Sequence, residues 1–125
     1  MTDLELYNII VKELRYFNFS INSMAFIYLV EAIYLVTKDK KSIKNFNQYI
    51  YPSIAQKYGT RSENVLWCIS KLINIMYENT NEEVIKKYFD IYYRRRLSPK
   101  LFIIIISNNI QESYKMGNMT ECKKM

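Results

Sequence analysis

Histidine is absent from this 125-residue sequence. Its absence removes the usual general base near neutral pH and the commonest metal ligand. Glycine and proline number two each, which leaves few obligatory turns and argues against a β fold with many hairpins. The two cysteines, Cys68 and Cys122, lie far apart, one on an expected buried helix face and one in a polar stretch near the end. No disulfide is expected between them. No Cys-x-x-Cys pair, Gly-rich phosphate loop or nucleophile elbow occurs, so no catalytic residue, metal or cofactor is expected. Glu31, Glu82 and Glu83 are isolated by spacing and read as surface and cap groups. The longest apolar run, 101–106, falls far short of the roughly 20 residues that span a bilayer. No basic-then-apolar leader opens the chain. The expectation is a cytoplasmic protein that is not an enzyme.

What is present points to helices. Half the residues are apolar, twelve are tyrosine, and the formal net charge is +6. That charge fits a polyanion partner and equally fits a merely soluble basic protein. At this length a single domain can bury a real core. A capping box of Thr2 and Glu5 opens the first helix, whose stripe is Leu6, Ile9, Ile10, Leu14 and Phe17. A second helix spans about 22–37 with Ala25, Tyr28, Leu29, Ala32, Ile33 and Val36 inward. Ser42 is the expected cap of a short third helix carrying Ile43, Phe46 and Ile50. Asn81 caps a helix bearing Val84, Ile85, Tyr88 and Phe89, with Glu82 and Glu83 at its positive end. Ser98 and Pro99 start a last helix reaching about Tyr114. The architecture is thus all-α, one domain over 1–115 with six to seven helices, followed by a flexible polar tail over 116–125.

The organising stretch is 51–70, YPSIAQKYGTRSENVLWCIS, read as a helix-turn-helix. Pro52 suits the first turn of one helix, which ends near Tyr58. Ala55 permits a close helix crossing, Gly59 allows a turn with φ > 0, and Val65 locks the second helix onto the first. Small residue, glycine and β-branched residue at spacings of four and six form the pattern of a DNA-reading helix pair. Thr60 with Glu63 is the expected cap of the second helix, which runs to about Tyr77.

The runs YLVEAI (28–33), with Val36 and Asp39, and YPSIAQKYGT (51–60), followed by Val65, Ile69 and Ile73, carry a more specific likeness. Asn81, Phe89 and Phe102 extend it over roughly 5–110. The chain resembles the C-terminal DNA-binding effector domain of the stage-zero sporulation response regulator. The resemblance implies an all-α domain of about six helices that binds promoter DNA and activates or represses transcription. In that family the domain follows a phosphoacceptor receiver. This chain opens at Met1 without one, so control through such a domain is expected to be missing.

The likeness lapses where bases would be read. The candidate DNA-binding residues early in the second helix are Arg61, Ser62, Glu63, Asn64, Trp67, Ser70 and Lys71. The family carries charged residues at the positions of Asn64, Leu66 and Trp67 that the resemblance marks as base and phosphate contacts. Leu66 and Trp67 can offer bases only apolar contact. Two readings of this pair stand side by side: contact with a partner protein, or a rearranged core. Arg94, Arg95 and Arg96 read either as a solvated basic loop or as phosphate contacts beside Lys86 and Lys87. Lys38, Lys40, Lys41 and Lys44 read as solvated, and the tyrosines as packing groups. Double-stranded DNA is the expected partner, a homodimer on paired half-sites is compatible with it, and a protein-interaction module that has lost base readout is the alternative.

Overall fold

Among the described residues, six α-helices make up the fold: α1 (Asp3–Leu14), α2 (Met24–Lys38), α3 (Tyr51–Tyr58), α4 (Ser62–Asn79), α5 (Glu82–Phe89) and α6 (Pro99–Lys124). A 3-10 segment (Lys40–Lys44) and a π-helical turn (Phe46–Ile50) link α2 to α3. The computed structural model describes residues 2–90 and 96–124, with side chains described through Tyr114. Among the described residues there is no strand, and no helix is long and apolar enough to cross a membrane.

Polar side chains set the helix starts. Thr2 Oγ1 accepts the Glu5 N–H at 3.1 Å, Ser23 Oγ that of Phe26 at 3.2 Å and Asn81 Oδ1 that of Glu83 at 2.8 Å. Ser98 Oγ takes the Leu101 N–H at 3.2 Å. Each satisfies a backbone donor with no partner inside its own helix. Ser42 is not the cap expected of it. Asp39 caps the 3-10 segment through Lys41 N–H at 3.0 Å, and Ser42 is buried, donating to Asp39 O at 2.6 Å. An aspartate in extended backbone reaches the first free amide better than a serine already inside the turn.

α2 is the pillar of the fold, packing against α1, α3, α4 and α6. It is apolar nearly all round, as a helix enclosed by neighbours must be. Leu29, Ala32, Ile33 and Val36 have no exposed surface, and Phe26 and Val30 are also buried. On α6, Phe102, Ile103, Ile106 and Ser107 are fully buried. Ser107 is tolerated there because its hydroxyl lies 2.7 Å from Thr37 Oγ1 and accepts Lys40 Nζ at 3.0 Å. The last helix runs on past Tyr114 to Lys124.

Aromatic rings close one end. Phe102 is flanked by Phe17, Phe19 and Phe89 with centroids 5.7, 5.9 and 5.6 Å away. This cluster fastens α5 and the 15–23 connection onto α6. The Asn18 N–H and side-chain amide tie the same connection to Thr80 Oγ1 and Asn79 O at the end of α4.

Between α3 and α4 the chain reverses at Gly59, whose φ and ψ are 66° and 40°. The Gly59 and Thr60 N–H groups both return to Ala55 O, satisfying a carbonyl at the end of α3. A Cβ at Gly59 would meet nothing within 4 Å, so only the backbone conformation demands glycine. Gly59→Ala should therefore cost about 1–2 kcal/mol in urea denaturation. Gly59→Asn should recover most of it, because asparagine visits the left-handed region. Equal losses in the two variants would contradict this assignment.

Candidate nucleic-acid interface on α4

Ile54 and Ala55 of α3 and Val65, Ile69, Leu72, Ile73 and Met76 of α4 face the core. Ala55 and Val65 occupy the inward positions expected of them. The opposite side of α4 is left to solvent, with Arg61, Glu63, Asn64, Trp67, Lys71 and Asn74 exposed and Ser62 and Ser70 half-buried. Trp67 is 59% exposed and Lys71 Nζ lies 4.9 Å from the centre of its ring. The rearranged-core reading of Trp67 is thus corrected: this indole points away from the core. The cation above an electron-rich ring face also holds the indole upright.

Thr60 does not cap α4. Arg61 precedes the helix in extended backbone without a side-chain bond to it. The Thr60 hydroxyl instead accepts the Asn64 amide at 2.9 Å, and Asn64 Oδ1 lies 3.7 Å from Cys68 Sγ. Asn64 is therefore internally engaged on both its donor and its acceptor. Cys68 is half-buried instead of fully inward. Ser70 Oγ donates to Leu66 O at 2.8 Å, spending its proton within the helix.

Leu66 and Trp67 do not form one surface. Leu66 opens onto a cleft of about 520 Å³ between the 3-10 and π segments and the start of α6. Trp67 borders a separate groove of about 230 Å³ with Ser23, Ala25, Leu72 and Ile75. Adjacent helical residues diverge by about 100°, so a neighbouring pair in sequence becomes two surfaces in space.

The basic run is only partly visible. Arg94 and Arg95 lie outside the described residues. Arg96 is exposed, 3.9 Å from Glu78 and 5.9 Å from the Tyr77 ring centre. Glu78 is seventeen residues beyond Arg61, roughly 25 Å along the helix at ~1.5 Å per residue. Arg96 therefore sits at the opposite end of α4 from Arg61.

Behind the pair lies a polar contact not anticipated from sequence. Glu31 is no surface group: it is 7% exposed, and its Oε2 accepts Lys57 Nζ at 3.1 Å. Lys57 Nζ also lies 6.0 Å from the centre of the Tyr7 ring, so α1, α2 and α3 meet around one carboxylate. Tyr7 stacks on Tyr34 with centroids 4.3 Å apart. Burial, helped by the neighbouring Glu31 carboxylate, raises the Tyr7 hydroxyl well above the usual tyrosine range. Burial pushes Tyr51 up to about 12, and burial with a bond to Glu13 raises Tyr88 further. These shifts set an alkaline limit. Unfolded tyrosines ionise near 10, whereas folded ones keep their protons, so the stabilisation is complete below pH 10. It is lost as pH rises from about 10 to about 12 for Tyr51. The melting midpoint should fall above pH 10, and less steeply for Tyr51→Phe. A midpoint unchanged to pH 12 would contradict the burial.

Comparison with known proteins adds two findings. Residues 10–110 match the family described as Sporulation initiation factor Spo0A C terminal. No curated protein matches the chain.

Proposed function

Because the chain belongs to the Sporulation initiation factor Spo0A C terminal family, whose members are DNA-binding effector domains, we propose that it binds duplex DNA and regulates transcription. α4 enters the major groove and α3 lies across the backbone, as in a helix-turn-helix. The observation that carries this reading is the uncovered outer face of α4, from Arg61 to Lys71, with α3 packed behind it at Gly59. Arg61 and Lys71 supply cations for phosphates, while Lys57 is already engaged by Glu31.

Base readout falls chiefly to Asn64. Asparagine recognises adenine by giving and accepting a hydrogen bond at once. Here that requires breaking the bond to Thr60, which lowers the gain from each specific contact. Glu63 can accept from a cytosine amino group. Sequence preference should accordingly be weaker than in relatives with charged residues at these positions, and non-specific affinity should lie in the 10⁻⁴–10⁻⁶ M range at physiological salt.

Gel-shift titrations with random and family-operator duplexes at 50 and 200 mM salt test this. Expected are steeply salt-dependent binding and, for Asn64→Ala, loss of any preference between duplexes with little change in random-duplex affinity. A second reading rests on the Trp67 groove, with its floor of Leu72, Ile75 and Ala25: a partner protein seated against the indole. Absence of DNA binding at 50 mM salt, together with a protein contact abolished by Trp67→Ala, would replace the first reading with the second.

A further inference from the structure

The cleft beside Leu66 is built from three parts of the chain. Lys44, Asn45, Asn47 and Gln48 come from the 3-10 and π segments, Tyr51 from the start of α3, and Ser98, Pro99 and Lys100 from the start of α6. Among the described residues no carboxylate lines it. Lys44 and Lys100 are both exposed and in no ion pair among the described residues. Lys100 Nζ sits 5.6 Å from the Phe46 ring centre, at the cleft wall. The side-chain amides of Asn45, Asn47 and Gln48 are exposed, and among the described residues no hydrogen bond within the protein engages them. Two cations and three amides thus converge with no ion pair or side-chain hydrogen bond among the described residues, at the spot where α3 begins and one turn into α4.

We propose that this cleft is a phosphate clamp for one strand of a DNA duplex, with Lys44 and Lys100 each neutralising one backbone phosphate and the amides bonding to phosphate oxygens. The inference rests on the DNA-binding reading and extends the footprint from α4 to the start of α6. The first helix of a helix-turn-helix crosses the backbone. Tyr51 is the first residue of α3 and lines the cleft, so a strand crossing α3 at its N-terminal end passes over Lys44 and Gln48. Leu66 then serves as an apolar wall instead of a base contact, which accounts for an aliphatic residue at the edge of an otherwise polar interface. Phosphate contacts position a protein without carrying sequence information, so the clamp acts equally on all duplexes.

The test is the salt dependence of random-duplex binding for the full chain, for the double variant Lys44→Ala with Lys100→Ala, and for Lys44→Arg with Lys100→Arg. Each phosphate neutralised contributes about 0.9 to the log–log salt slope, so the alanine variant should lose about 1.8. Its deficit in affinity should be about tenfold larger at 50 mM than at 200 mM salt. The deficit should be equal for random and operator duplexes, and the arginine variant should keep the wild-type slope. Wild-type binding with an unchanged slope in the alanine variant overturns the clamp and leaves the DNA reading intact. No wild-type binding at 50 mM salt overturns the DNA reading and the clamp together. Unchanged melting midpoints exclude misfolding as the cause of a lost slope.

Discussion

Phe102→Ala should destabilise the domain by about 3–5 kcal/mol, the cost of emptying a fully enclosed aromatic site. Phe102 has no exposed surface, and Phe17, Phe19 and Phe89 all rest against its ring. These neighbours come from the 15–23 connection and from α5, so removing the ring frees two elements from α6 at once. A domain of this size has about 5–15 kcal/mol in total, and the melting midpoint should drop by on the order of 10–20 °C. Phe102→Leu keeps most of the volume and should lose far less. It also keeps the comparison usable if the alanine variant is largely unfolded at room temperature. A loss below about 1 kcal/mol for the alanine variant would contradict the packing described.

Lys57→Met should cost about 2 kcal/mol in urea denaturation. Removing one partner of a fully buried ion pair costs about 3–5 kcal/mol, because a bare charge stays behind. The Glu31 side chain is 10% exposed but that of Lys57 is 54% exposed, and water reaching the lysine end screens the pair and lowers the figure. With Lys57 gone, the Glu31 carboxylate loses the cation that hydrogen-bonds it. The double variant Glu31→Leu with Lys57→Met should recover much of the loss, since no charge then remains to be solvated. Strict additivity of the single effects would mean that the two groups are not coupled. Because Lys57 is on α3, its loss should also loosen the seat of α3 behind α4. DNA affinity should then weaken although no phosphate contact has been removed.

Much of this was legible because it is local. The stripes of α1, α4 and α5, the caps at Thr2 and Asn81 and the left-handed turn at Gly59 each depend on residues within four positions of one another. Glu31 was not legible, since its partner Lys57 lies 26 residues away and a glutamate amid apolar neighbours resembles an exposed position. The same limit hid the separation of Leu66 from Trp67. Which groove each enters depends on the start of α6 and on the 18–23 loop, not on α4. Thr60 and Ser42 carry the right side chains for caps, but Arg61 and Asp39 are the residues whose backbones leave the helix direction. Capping follows that backbone break, which composition does not mark. Two of the three arginines proposed near 95 fall outside the described residues, and the third is held beside Glu78 at the far end of α4.

Trp67 is the single tryptophan of the chain and stands exposed on the outer face of α4. Its intrinsic fluorescence therefore reports on that surface alone, without a label. The ammonium of Lys71 over the ring draws anions toward it, so iodide should quench the emission of the free protein more readily than caesium does. A ligand lying along α4 would shield the indole from both ions, whereas one confined to the Lys44 cleft would leave the quenching nearly as it was.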